Sequence, residues 1–215
     1  MIKKQRHMYK NDKFIRILII LFSIQAIYFV LNLMSKGIDI YYLLNLINQN
    51  PIAEKFDSYW FHKTNIIYYS SIVIQLITLI PFIIWLYREY SNVHMIYLKD
   101  RLSYKPIWAI FSFVIPVFNF FAPYKILTEI VDGYKYNSKI DNIVLGHQQI
   151  KFWWISYLCF VIYTRYISIR HPKFAEDYLV NTYHYLIINL CGLISLIFLI
   201  WILTQLRFII HHSND

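Results

Sequence analysis

A chain of 215 residues that is 58% hydrophobic and 15% charged departs from soluble domains, which run about 45–50% apolar and about 25% charged. Four glycines and six prolines exclude fibrous and low-complexity classes. The net charge of +9 flanks apolar runs instead of lining a soluble face, so the expected partner is the lipid bilayer and not nucleic acid.

In chain order, the basic stretch MIKKQRHMYKNDKFIR leads into an apolar run from Ile17 to Met34. That run is too long for a signal-peptide core and lacks a small-residue cleavage pattern, so it reads as a retained first span over about 15–34. The following loop carries GIDIYYLLNLINQNP, a short interfacial helix ended by Pro51. A second, uncharged span covers about 66–87, and REYSNVHMIYLKD extends it beyond the membrane with Arg88 and Asn92 one turn apart.

Lys105 to Ile130 reads KPIWAIFSFVIPVFNFFAPYKILTEI. Pro116 lacks an N–H and pushes Ile115 out of helical angles, and Pro123 does the same to Ala122. The uninterrupted piece, Ile107–Ile115, reaches about 13 Å, near half the hydrocarbon thickness. The segment 106–122 therefore reads as a re-entrant half-helix with a break bearing Asn119, followed by an interfacial amphipathic helix over about 124–136. On that helix Leu127, Ile130, Val131 and Tyr134 form the apolar face. Lys125, Thr128, Glu129, Asp132 and Lys135 form a solvated one.

A third span covers about 152–169, with Arg165 near enough to an end to snorkel, and a fourth about 185–206. Backbone groups in hydrocarbon must be satisfied internally, so each span is a helix. With re-entry, Lys and Arg divide 15 to 6 between the two sides; with a full crossing they divide 13 to 8. Positive-inside bias favours re-entry and cytoplasmic termini. Trp85, Tyr87, Trp153 and Trp154 would then line the cytoplasmic interface, and Tyr68, Tyr69, Tyr163, Tyr166, Tyr183 and Tyr185 the other. Cys159 and Cys191 sit singly in apolar runs and read as small buried hydrophobes. The expected fold is one all-α polytopic domain, 1–215: four transmembrane helices, a re-entrant half-helix and an interfacial helix.

WLYREYSN (85–92), KPIWA (105–109), FVIPVFNFFAPY (113–124), Glu129-Ile130 and Trp153-Trp154 follow one another in an order that resembles a bacterial membrane family, domain of unknown function 4328. The resemblance covers about residues 80–170 by motif and the flanking spans by hydropathy. It implies an integral membrane protein and supplies no mechanism. Members often carry Gly where this chain has Ile107, Arg where it has Ala122, and Trp where it has Val131. The missing Arg removes a bidentate anchor for phosphate or carboxylate at the break.

Candidate site residues are Arg88, Asn92, Pro106, Trp108, Pro116, Asn119, Pro123, Tyr124, Glu129, Trp153 and Trp154. Arg88 and Asn92 are expected to reach Asn119 and the carbonyls freed by the prolines, with Trp108, Trp153 and Trp154 setting the depth of the hairpin. Glu129 and Asp132 read as a solvated face with a Lys125–Glu129 pair. Histidines are scattered and GxSxG, GxGxxG and Walker A patterns are absent, so no metal, cofactor or catalytic site is expected. The expected role is a noncatalytic scaffold or regulatory protein of the bacterial inner membrane, meeting another membrane protein, a second copy of itself or anionic lipid headgroups. A transporter or channel built at Pro116–Asn119 is the alternative, and a membrane-embedded enzyme the next.

Overall fold

A computed structural model of the protein describes residues 11–48, 57–96, 102–137, 145–168 and 175–212. Every regular element among them is helical: α1 (Asp12–Ile47), α2 (Asp57–Ile96), α3 (Trp108–Val114), a 3-10 turn (Phe118–Phe120), α4 (Ala122–Asn137), α5 (His147–Ser168) and α6 (Ala175–His212).

α1 begins where the Asn11 carbonyl accepts from Ile15 N at 2.9 Å. Asp12 in the first turn complements the positive end of the helix dipole. Contrary to expectation the helix does not stop near Met34. No proline interrupts it, Lys36 binds Asp39 one turn on at 2.7 Å, and a Cβ at Gly37 would meet open space. The separate interfacial helix expected after Gly37 is thus the continuation of α1, and the expected stop at Pro51 lies outside the described residues. α2 likewise starts well before residue 66 and holds Pro81 in its interior, and α6 starts before 185.

Among the described residues, three helices are long and apolar enough to cross a membrane, over Asp12–Asn45, Val73–Ile96 and Tyr178–His211. α5, the expected third of four spans, does not join them; its Gln148, Gln149, Lys151 and Arg165, with abundant Trp and Tyr, make it less apolar. α1 has an inside-out pattern. Ile17, Ile20, Ile24, Ile27, Leu31 and Met34 are exposed along one face, while Gln25 and Asn32 are buried on the other. A helix in lipid turns its polar residues inward and its aliphatic ones outward. Length, apolarity and this pattern fit an integral membrane protein. Cys159 is also exposed rather than buried, on the apolar surface of α5.

The chain falls into two compact units, one of residues 1–22, 78–154 and 198–215, the other of 23–77 and 155–197. In the second, Gly192 lets α6 approach α1: a Cβ there would meet the Phe29 ring at 2.8 Å. Phe29 packs edge-on against Phe160 at 5.9 Å, and Tyr163 shares a hydrogen bond with His184 at 2.6 Å.

The first unit is centred on Phe82, whose ring meets Phe22 at 5.7 Å, Trp85 at 5.6 Å, Phe113 at 5.8 Å and Trp153 at 6.4 Å. Asp12 accepts from Arg207 at 2.8 Å and pairs with Arg16 at 3.0 Å, tying the start of α1 to the end of α6. α5 starts with half of a capping box: the Gly146 N–H donates to Gln149 Oε1 at 2.9 Å. Leu145 and Ile150, both fully buried, occupy the hydrophobic-staple positions around it. α3 ends where Ile115, ahead of Pro116, takes an extended conformation (φ −87°, ψ 116°), as proline demands of its predecessor. Its seven residues span about 10 Å.

Candidate functional site

α2 and α4 meet through two consecutive residues on one helix and two on the other, joined as crossed carboxylate–phenol pairs. Glu89 Oε2 accepts from the Tyr134 hydroxyl at 2.5 Å. The Tyr90 hydroxyl donates to Glu129 Oε2, also at 2.5 Å. All four side chains are buried, Glu89 at 0% exposure and Glu129 at 5%. The helices can approach this closely because α4 carries Gly133 against Val93, where a Cβ would come within 2.5 Å of the valine methyl.

Each carboxylate collects further donors. Asn92 Nδ2 donates to Glu89 Oε2 at 3.3 Å. Asn11 and Trp85 also face Glu89, yet Glu89 Oε1, Trp85 Nε1 and both amide atoms of Asn11 lie outside hydrogen-bonding geometry. Glu129 accepts from the Ser103 N–H at 3.1 and 3.2 Å on its two oxygens, with Lys125 Nζ 3.8 Å away. The Tyr104 N–H donates to the Tyr90 hydroxyl at 3.2 Å. His94 places Nδ1 2.8 Å from the Tyr90 carbonyl and Nε2 3.0 Å from the Tyr104 carbonyl. Both acceptors are carbonyls, so the two bonds form together only when both ring nitrogens carry hydrogen. These contacts fasten the start of the hairpin (102–105) to α2 and α4. Burial and the neighbouring Glu89 raise the Tyr134 phenol above its ordinary value, so it stays a donor.

The expected solvated face of α4 is therefore only partly solvated. Lys125 is exposed and does pair with Glu129, but Glu129 and Thr128 are buried; Thr128 satisfies its hydroxyl on the Tyr124 and Lys125 carbonyls at 2.8 Å. Asp132 reaches His147 at the start of α5, 2.7 Å away.

At the break, Trp154 Nε1 donates to the Phe120 carbonyl at 3.1 Å, and Trp108 stacks on Phe118 at 4.8 Å. Pro106 accepts from Ala109 N at 3.0 Å, opening α3. Pro123 sits buried in the first turn of α4, whereas Pro116 is exposed at the hairpin tip. Trp85, Trp153 and Trp154 are buried in the unit and do not form the expected interfacial belt. The expected cluster of Arg88, Asn92 and Asn119 is not assembled: Asn92 serves Glu89, and the Arg88 guanidinium lies over the Phe14 ring at 5.5 Å. Asn119 Oδ1 is buried without a hydrogen-bond partner.

Sequence reasoning missed Glu89, Tyr90 and Tyr134 as partners. The available signal was a Glu-Tyr step on the apolar extension of a span, facing a helix that also carries Glu and Tyr. Among the described residues no group of three or more His, Cys, Asp and Glu side chains could hold a metal. The pairs join acceptors to hydroxyl and amide donors; what they do is hold two helices and a hairpin in register.

No curated protein and no solved structure matches the chain. The family model described as "Domain of unknown function (DUF4328)" matches residues 63–207, which include both carboxylate–phenol pairs and the whole hairpin. By that match over most of its length, the chain belongs to the DUF4328 family.

Proposed function

We propose that this chain is a noncatalytic scaffold or regulatory protein of the bacterial inner membrane. Its 106–122 segment re-enters the bilayer from the cytoplasmic side, with both termini on that side. The observation that carries this reading is how far the hairpin reaches along α2. Tyr104 bonds Tyr90, and Phe113 meets Phe82 eight residues earlier, a depth of about 12 Å against a hydrocarbon core of about 30 Å. The end of α2, the hairpin and the start of α5 belong to one compact unit, which supports a chain that dips and leaves by the side it entered. Non-helical backbone at such depth is tolerated only under protein cover, and Trp154 on the Phe120 carbonyl supplies some. The conversions N119C, K139C and K173C in a cysteine-free background test it with membrane-impermeant thiol reagents. Labelling of K139C and K173C from opposite sides supports re-entry; labelling from the same side refutes it.

A second reading, transport of an ion or small solute, draws support from Glu89. It lies fully buried inside the candidate span Val73–Ile96, and ionisable residues at such places commonly mark ion paths. Flux in liposomes that is lost on E89Q would favour it over the scaffold.

A further inference from the structure

We infer that the first unit carries a basic rim around its hairpin that holds anionic phospholipid headgroups, while the hairpin tip sits among acyl chains. This rests on the re-entrant reading and goes beyond it by naming the lipid chemistry.

From Pro106 to Tyr124 the chain carries no charged residue, and its tip is open: Val114 is 65% exposed, Val117 68%, and Phe120 also more than half. Charge returns at both ends of this apolar stretch. Lys105 precedes it and is exposed; Lys125 follows it with its side chain 52% exposed. Glu129 draws the two ends together, binding Ser103 N at 3.1 Å and lying 3.8 Å from Lys125 Nζ. Lys151, exposed on α5, stands one turn before Trp154, whose indole holds the far end of the hairpin.

Among the described residues of the unit, little opposing charge stands unpaired at the surface. Its described carboxylates are Asp12, Glu89, Glu129 and Asp132. Glu89 and Glu129 are buried on tyrosines, Asp12 is occupied by Arg16 and Arg207, and Asp132 by His147. The carboxylate–phenol pairs thus fix the hairpin and also withdraw two negative charges from the rim. An apolar tip flanked by exposed lysines, with the described acids either buried (Glu89, Glu129) or paired at the surface (Asp12, Asp132), is complementary to a leaflet with anionic headgroups. Each lysine near such a surface is worth about fivefold in apparent association, screened by salt.

The test uses the full chain reconstituted in vesicles of phosphatidylcholine with a minority of phosphatidylglycerol. Spin-labelled forms of the two lipids report their relative association with the protein. A V117C label in a C159A/C191A background reports contact with brominated acyl chains. The expected result is a quenched tip and a preference for phosphatidylglycerol of about fivefold at the occupied sites. That preference falls toward one in K105Q/K125Q/K151Q, and in the unmodified protein at about 0.5 M salt, a condition that needs no variant to fold. Equal association of the two lipids, or a preference that survives both the triple substitution and salt, overturns the inference while a quenched tip leaves re-entry standing. An unquenched tip overturns both.

Discussion

Replacing Glu129 by alanine removes an acceptor shared by the Tyr90 hydroxyl and the Ser103 N–H, with Lys125 alongside. A hydrogen bond to a charged group contributes about 1.5–3 kcal/mol, and a buried donor left without a partner costs about 1–3 kcal/mol. Tyr90 is fully buried, so its hydroxyl bears most of that cost; the Ser103 N–H is nearer the surface and can turn to water. The Lys125 pair adds little, since half of the lysine is in solvent and exposed pairs are worth about 0–1 kcal/mol. Alanine favours the helix slightly, which offsets a few tenths. The expected loss is about 3–4 kcal/mol. E129Q keeps the shape and one acceptor oxygen and should lose about half of that. The assay is reversible denaturation in mixed micelles followed by tryptophan fluorescence, with hydrogen exchange across 102–121 to locate the loosening. If E129A shifts stability by less than about 0.5 kcal/mol, as a change on a solvated face does, and leaves exchange at the hairpin base unchanged, then Glu129 is not the fastening described here.

Three further outcomes follow from the same packing. Y134F removes a donor to Glu89 and should destabilise by about 1.5–3 kcal/mol. It should also remove part of the alkaline sensitivity: the folded phenol is raised above its ordinary value of 10.0, so its contribution is complete below that pH and is lost as pH rises beyond it, as a pH series of melting midpoints reads out. G133A drives a methyl into Val93 and should cost about 1–3 kcal/mol; V93A in the same chain should recover most of it, and additivity of the two changes would contradict the close approach. W154F deletes the indole donor to the Phe120 carbonyl, for a loss of about 1 kcal/mol, with faster exchange confined to the region of 115–121.

Much of the backbone was legible because its causes are local. Pro116 dictates that Ile115 be extended, and so α3 stops where the covalent geometry of two adjacent residues says it must. Pro123 does not act as expected: Ala122 before it is already the first residue of α4, because a proline in the first turn gives up an N–H that has no intrahelical partner there. The apolar runs announced the spans, but the ends of α1 and α6 were misjudged, because a hydropathy pattern marks where lipid ends and not where a helix does. Where no proline or water-seeking cap intervenes, as through Ser35, Lys36 and Gly37, hydrogen bonding continues past the apolar run. The capping box and staple at Leu145–Ile150 were readable in principle, being contacts within five residues.

The site itself was decided elsewhere. Glu129 on a helical wheel belongs with Lys125 and Asp132, and that periodicity is real. What buries it is Tyr90, 39 residues earlier, delivered by a helix packing that Gly133 permits. A carboxylate's environment depends on which donors arrive from other elements, and that information is absent from its neighbours in the chain. Asn119 makes the converse case: the sequence placed a polar side chain at a break and implied partners, yet the fold sent Asn92 to Glu89 and Arg88 over Phe14. Composition and proline placement determined that this is a helical membrane chain with a broken segment. Only the tertiary approach of α2 and α4 decided which charges are hidden, because pairing across tens of residues is settled by packing and not by propensity.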